Sequence, residues 1–444
     1  MAIKGMFIFM AVCALSLAAC DGGVEQSQED AVDVVAKRYL TLALQWNEID
    51  KGYVDAYYGP DELKKDALSE DLGCSDEGEC VSVLRNRLRR LAQELESVDK
   101  STYDPAGQAR MRYLSGQFLA METRMRMKGG DDLTFDEESK ALYGAMAPRR
   151  DALFFQRVLN QINDKLPGDG PLPERVQKFR GDFAVPKDRL SIVFDAAIAE
   201  CKKRSGKYIE LPEGERFVVE YVSDKPWSGY NWYQGQFFSV IQVNTDFPLY
   251  IDRAVDLGCH EGYPGHHAYN VLLEKSMVRE RGWTEFSLYP LFSPQSLIAE
   301  GSANYGIEMA FPGDERLEFE KNVLFPLAGL DKGKADLYYE VNKLLGQLSY
   351  AGNEAARHYL NGDWSAEQAQ QWLVNYQLSA PDRANQRVSF FDTYRSYVIN
   401  YNLGKDIVAE YIVREAGADS DLRWEIFEEL LASPKLPADL IGSE

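Results

Sequence analysis

Several scarcities narrow this chain before any motif is read. Basic residues are outnumbered, with 49 lysines and arginines against 70 acids, which leaves a formal charge of −21. Such a surface repels phosphate backbones and anionic head groups, so nucleic acid is not an expected partner and no basic patch holds the chain to a membrane. Long apolar runs are missing too. The run from Met6 to Leu17 has twelve residues, against roughly 20 for a helix that stays in a bilayer. None of the six cysteines has CxxC spacing, no repeat or low-complexity tract stands out, and histidine is scarcer still, with four in 444 residues. Three of those four fall within eight positions, in "GCHEGYPGHHAYN", Gly258 to Asn270.

The chain opens with Lys4 ahead of the short apolar run, the pattern of a signal peptide over residues 1–19. That run ends in Leu17-Ala18-Ala19-Cys20, which resembles a bacterial lipobox: small residues admit the signal peptidase and Cys20 becomes the lipidated first residue. Asp21 resembles the signal that keeps lipoproteins in the inner membrane of some Gram-negative bacteria. Residues 20–30 form a polar tether. The expectation is a lipid-anchored protein of the bacterial envelope that faces the periplasm, where disulfides persist. Cys74 and Cys80 bracket a loop suited to a local bridge, while pairing of Cys201 with Cys259 stays open.

Helical periodicity dominates residues 31–205. Val32, Val35, Tyr39 and Leu42 share one face, as do Leu84, Leu88, Leu91, Leu95 and Val98, and then Met111, Leu114, Phe118, Met121 and Met125. Gly129-Gly130 stops the third helix, "LPGDGPLP" (Leu166 to Pro173) breaks the chain, and Pro186 begins another helix to about Lys203. The character then changes. "RFVVEYV" and "FFSVIQVN" read as strands separated by a loop, with the second strand offering an edge for an extended peptide and Asn244 near it. Helices resume afterwards, one of them opened by a capping box at Ser365 and Gln368. The expected class is mainly α with a small β-sheet beside the histidine segment, divided into an N-terminal helical region (31–205) and a metal-binding catalytic region (206–444).

His260-Glu261 followed by His266-His267 supplies imidazole ligands and an adjacent carboxylate, the groups a catalytic zinc site needs. The familiar HExxH puts its histidines at i and i+4 on one helical face. Here Pro264 occupies that position. It lacks an N–H for the His260 carbonyl and its ring clashes there, so a bulge or break is forced inside the motif. By helical angle His267 suits His260 better, and by insertion of Pro264-Gly265 His266 does; geometry leaves both open.

"HEGYPGH", His260 to His266, resembles the HE-x-x-P-G-H hallmark of the domain-of-unknown-function 885 family, bacterial proteins grouped with zincin-like metallopeptidases. "EGSANY", Glu300 to Tyr305, is similar to the family's second element, with Ser302 where a tryptophan is usual, and "YNLG", Tyr401 to Gly404, is similar to a third. The resemblance spans roughly residues 221–411. It implies a gluzincin-type helical architecture and a zinc-dependent hydrolase of peptides or small amides. His260, His266 and Glu300 would hold one divalent ion and Glu261 would be the general base toward a metal-activated water, with His267 as the alternative to His266. Tyr401, or else Tyr397 or Arg395, would donate to the oxyanion, and Asn304 would orient a ligand. His358 and Glu308 are assigned no chemistry. The contrasting expectation is an envelope lipoprotein that binds peptides and keeps the metal only for structure. Oligomeric state is not legible.

Overall fold

The computed structural model describes residues 30–225 and 227–442. The expected signal peptide of residues 1–19, the expected lipidation site Cys20 and the expected tether as far as Gln28 and Glu29 lie outside the described residues.

The three N-terminal stripes fold as helices α1 (Ala31–Ile49), α2 (Glu77–Ser97) and α3 (Pro105–Lys128). Each begins after an aspartate, Asp30, Asp76 or Asp104, whose carboxylate accepts first-turn N–H groups. Gly129 caps α3, followed by Gly130 at φ 99°. The apolar faces are buried in one cluster that also takes in Leu297, Ile298, Val408 and Ile412 from the second half. The core therefore runs across residue 205. "LPGDGPLP" does separate two helices, Ala152–Lys165 and Leu172–Gly181, but Pro173 already sits in the first turn of the second, where its missing N–H costs nothing. Helix α4 (Leu190–Ser205) follows Pro186 after a 3-10 turn at Lys187–Arg189.

Strands β2 (Arg216–Val222) and β4 (Phe238–Asn244) lie where their β-branched residues indicate. The expected loop between them carries another strand, β3 (Gly229–Tyr233). The order is β2-β4-β3, with β2 parallel and β3 antiparallel to β4. This corrects the peptide-docking edge: β4 is the central strand, paired on both sides. Asn244 is likewise committed, donating to the carbonyls of Lys225 and Trp227 at 2.9 Å each. A further pair joins β1 (Val54–Tyr57) to β5 (Leu288–Pro290). Both are too short to show a period of two.

The remaining helices that matter here are α5 (Asp252–Leu257), α6 (His266–Leu273), α7 (Pro294–Ala310), α8 (Ala366–Tyr376), α9 (Pro381–Tyr394) and α10 (Ile399–Ala416). The capping box at Ser365 is present at the start of α8. The fold is thus mainly α with small sheets, and β2-β4-β3 lies beside the histidine segment. Disulfides join Cys74 to Cys80 and Cys201 to Cys259.

Helices α7 and α10 cross at a pair of glycines. A Cβ on Gly404 would stand 2.7 Å from the Leu297 carbonyl, and one on Gly301 would be driven into the Gly404 carbonyl. The glycines of "EGSANY" and "YNLG" therefore serve one close crossing. Gly301→Ala should force the helices apart and cost about 1–3 kcal/mol of stability. An unchanged urea midpoint would contradict so close an approach.

Candidate metal centre

The histidine segment starts as the continuation of α5. Its last turn widens into a π-turn at Gly258–Gly262, which contains Cys259, His260 and Glu261. Tyr263 is extended, the Tyr263–Pro264 bond is cis, and the chain re-enters a helix at His266, with Gly265 as the N-cap of α6. The break demanded by Pro264 is therefore real. Gly265 donates its N–H to the Cys259 carbonyl at 3.0 Å, and any side chain there would overlap the His260 carbonyl. Cys259 is tied through its disulfide to Cys201 of α4. His260 and His266 thus face each other from the end of one helix and the start of the next.

Glu300, one residue before the glycine crossing on α7, completes the cluster. His260 Nε2 lies 3.1 Å from His266 Nε2, and Glu300 Oε2 lies 3.3 Å from the first and 3.6 Å from the second. Four ligands placed tetrahedrally at zinc–nitrogen distances stand about 3.3 Å apart. The proton pattern fits as well. Asn304 Nδ2 donates to the Tyr401 carbonyl at 3.1 Å, which orients its Oδ1 toward His260 Nδ1, also at 3.1 Å. A hydrogen on His260 Nδ1 satisfies that contact and leaves Nε2 as the nitrogen turned to the cluster. Nε2 faces Glu300 Oε2 at 3.3 Å. A positive charge between the two atoms, a proton or a metal ion, satisfies both.

The surrounding charge has the same sense. Burial alone would raise the Glu300 carboxyl, but contacts with His260 and His266 hold it well below the usual range. Burial lowers the His266 imidazole, yet Glu300, Glu261 and Asp55 outweigh it and leave it raised. Glu261 is buried, with one carboxylate oxygen lacking a partner. Burial raises its pKa, against the pull of His260 and His266.

His267 points the other way. It is fully buried, with Nδ1 2.8 Å from Ser239 Oγ on β4 and Nε2 2.9 Å from Glu215 Oε2. Glu215 also accepts from Tyr263 and Lys202. This histidine ties α6 to the sheet and is not among the clustered donors. His358 pairs with Asp363 and stacks on Trp364, and Glu308 pairs with Lys405, all away from the donors.

Among the tyrosines, Tyr397 donates to Glu300 Oε1 at 2.9 Å, which leaves Oε2 for the cluster. Tyr401 stands beside it, with ring centroids 5.8 Å apart. Burial first, then Glu300 and Glu261, raise its phenol well above 10, so it is a proton donor at any ordinary pH. Arg395 is turned to Glu138, to which its Nε donates at 2.6 Å. Asp55 of β1 went unread in the sequence. It bonds the Tyr230 hydroxyl, and its carboxyl is pushed up to about 7 by burial and Glu300 against the pull of His266. A lone aspartate in a four-residue strand carries no sequence signal. A cavity of about 1250 Å³ is lined by Asp252, Asp256 and Tyr305 among others and by none of the three donors; donor chemistry, not volume, marks the site.

Elemental analysis of zinc-loaded protein should find about one ion per chain in the wild type and in His267→Ala, and none in His266→Ala. His267→Ala should instead lose about 1–3 kcal/mol of stability, because Glu215 and Ser239 lose their shared partner. Loss of metal in His267→Ala alone would reverse the two roles.

No family model matches the sequence, and no curated protein matches it significantly. Solved structures are similar to it. A protein of Colwellia psychrerythraea named "putative lipoprotein" is similar over 92% of this chain and 72% of its own, with a TM-score of 0.52 at 14% identity. A second so named, of unknown function, from Shewanella oneidensis, aligns over 91% and 81% (TM-score 0.45, 14% identity). Metallocarboxypeptidase 1 of Trypanosoma cruzi aligns over 90% and 89% (TM-score 0.41, 12% identity). At such identities the first likeness establishes a common fold and no more.

Proposed function

We propose that the chain is a metal-dependent hydrolase of peptide or small amide bonds, in which His260, His266 and Glu300 hold one divalent ion, zinc by ligand type, and Glu261 is the general base. The observation that carries this reading is the set of three donor atoms 3.1 to 3.6 Å apart, next to a buried carboxylate with an unpartnered oxygen. An ion bound there supplies Lewis acidity toward a carbonyl oxygen and acidifies a water.

The chain's own groups do the rest. Glu261 takes a proton from the attacking water at a carboxylate oxygen and passes it to the leaving nitrogen. Tyr401 donates its O–H to the oxygen that gains negative charge. Tyr397 and Asn304 act through others, the first by fixing Glu300 and the second by setting the His260 tautomer.

The resemblance to the domain-of-unknown-function 885 family belongs to the same reading, as does anchoring through Cys20 to an envelope membrane, the inner one favoured by Asp21, with the enzyme facing the periplasm. No helix among the described residues is long and apolar enough to cross a membrane.

Glu261→Gln keeps shape and removes the base. It should retain the metal while kcat on a peptide or amide substrate falls by about 10²–10⁴-fold. Equal turnover by the variant would eliminate Glu261 as the base; no turnover by zinc-loaded wild type on any peptide or amide would favour a peptide-binding lipoprotein.

A further inference from the structure

Among the described residues, no acid pairs with Arg387 of α9. Its Cζ lies 4.7 Å from the Phe390 ring centroid and 5.9 Å from that of Tyr401. The side chain is half-buried, and its Nε is fully buried without a hydrogen-bond partner. Burial draws its pKa down, and Tyr401 is the group that acts against this. Buried arginines elsewhere are treated differently: Arg110 bonds Glu285, and Arg357 bonds Glu354 and Asp136. In a chain of 70 acids, a sunken guanidinium facing aromatic rings lacks the anion that would offset its desolvation.

Its position says where that anion comes from. The Tyr401 ring, 5.9 Å from the Arg387 Cζ, stands 5.8 Å from the ring of Tyr397, whose hydroxyl donates to Glu300 Oε1, so the guanidinium borders the same aromatic wall as the cluster. Successive α carbons of a peptide are 3.8 Å apart. A terminal carboxylate one residue beyond a carbonyl at the cluster is the substrate anion nearest to a group on this wall. Arginines continue along this wall. Arg383, one turn earlier, lies 3.7 Å over the Phe247 ring, and burial together with Arg253 and Arg180 draws it down to about 10. Arg253 in turn acts on Glu261. Arg253 and Arg180 pair with Asp256 and Asp252, which leaves Arg383 and Arg387, among the described residues of this wall, to meet an incoming anion.

We propose that Arg387 binds the free α-carboxylate of a peptide's C-terminal residue, so that the hydrolase reading, on which this rests, narrows to removal of that residue. Water adds across the last peptide bond, OH to the carbonyl carbon and H to the nitrogen, and the terminal amino acid leaves with its carboxylate on Arg387. The planar fork of the guanidinium matches a carboxylate with two parallel hydrogen bonds. Arg387 is thus a binding residue, not a member of the proton-transferring set.

The test is calorimetric binding to the zinc-loaded Glu261→Gln protein, which should hold peptide without cutting it. Three probes are compared: acetyl-Ala-Ala-Phe as the free acid, the same peptide as its C-terminal amide, and acetyl-Ala-Ala-Glu as its amide, which offers only a side-chain carboxylate. The free acid should bind roughly 10- to 100-fold more tightly than either amide. Adding Arg387→Ala should erase that preference, and Arg387→Lys should restore part of it, which also serves should the alanine variant fail to fold. Equal affinity for acid and amide, no affinity for any probe, or a preference that survives in both Arg387 variants overturns the assignment; tight binding of the glutamate amide overturns it in favour of a side-chain carboxylate. Turnover of the same probes by wild type judges the hydrolase reading separately, since a preference lost with Arg387 but without cleavage would leave the anchor standing and remove the enzyme.

Discussion

Two imidazole nitrogens and a carboxylate oxygen, held 3.1 to 3.6 Å apart, set the terms for everything around them. Lone pairs at that range repel, so the protein must hold each donor from behind. Asn304 grips His260, Tyr397 grips Glu300, and the Cys201–Cys259 bridge pins the turn that carries His260. The donors are aimed before any ion arrives, which reduces the reorganisation that binding would require.

That aim depends on a backbone a regular helix cannot supply. Pro264 ends the first helix and Gly265 lets the chain fold back onto the Cys259 and His260 carbonyls, so His266 starts a new helix facing the old one. The third donor depends on an equally close approach, the Gly301–Gly404 crossing next to Glu300. Both motifs place a glycine beside a donor because backbone must approach backbone there.

Charge is distributed with similar economy. Overall the chain is strongly acidic, and Glu261, Glu300 and Asp55 concentrate that sign at the centre, where a cation belongs. Arg387 carries the opposite sign on the aromatic wall of Tyr401 and Tyr397, whose hydroxyl donates to Glu300.

The sequence by itself determined the local features: the amphipathic faces of α1 to α3, the Ser365 capping box, the two β-branched strands, the break at Pro264, and the grouping of His260, Glu261 and His266. Each is a pattern over neighbouring residues, and the physics behind it acts over a turn or two of chain. Only the tertiary structure brings His266, and not His267, among the clustered donors, because Ser239 and Glu215 hold the second ring from the sheet side. The same holds for Tyr397 on Glu300, for Asp55 beside His266 and for the paired edges of β4: partners tens to hundreds of residues apart leave no periodicity for a sequence to display, and long-range packing alone brings them together.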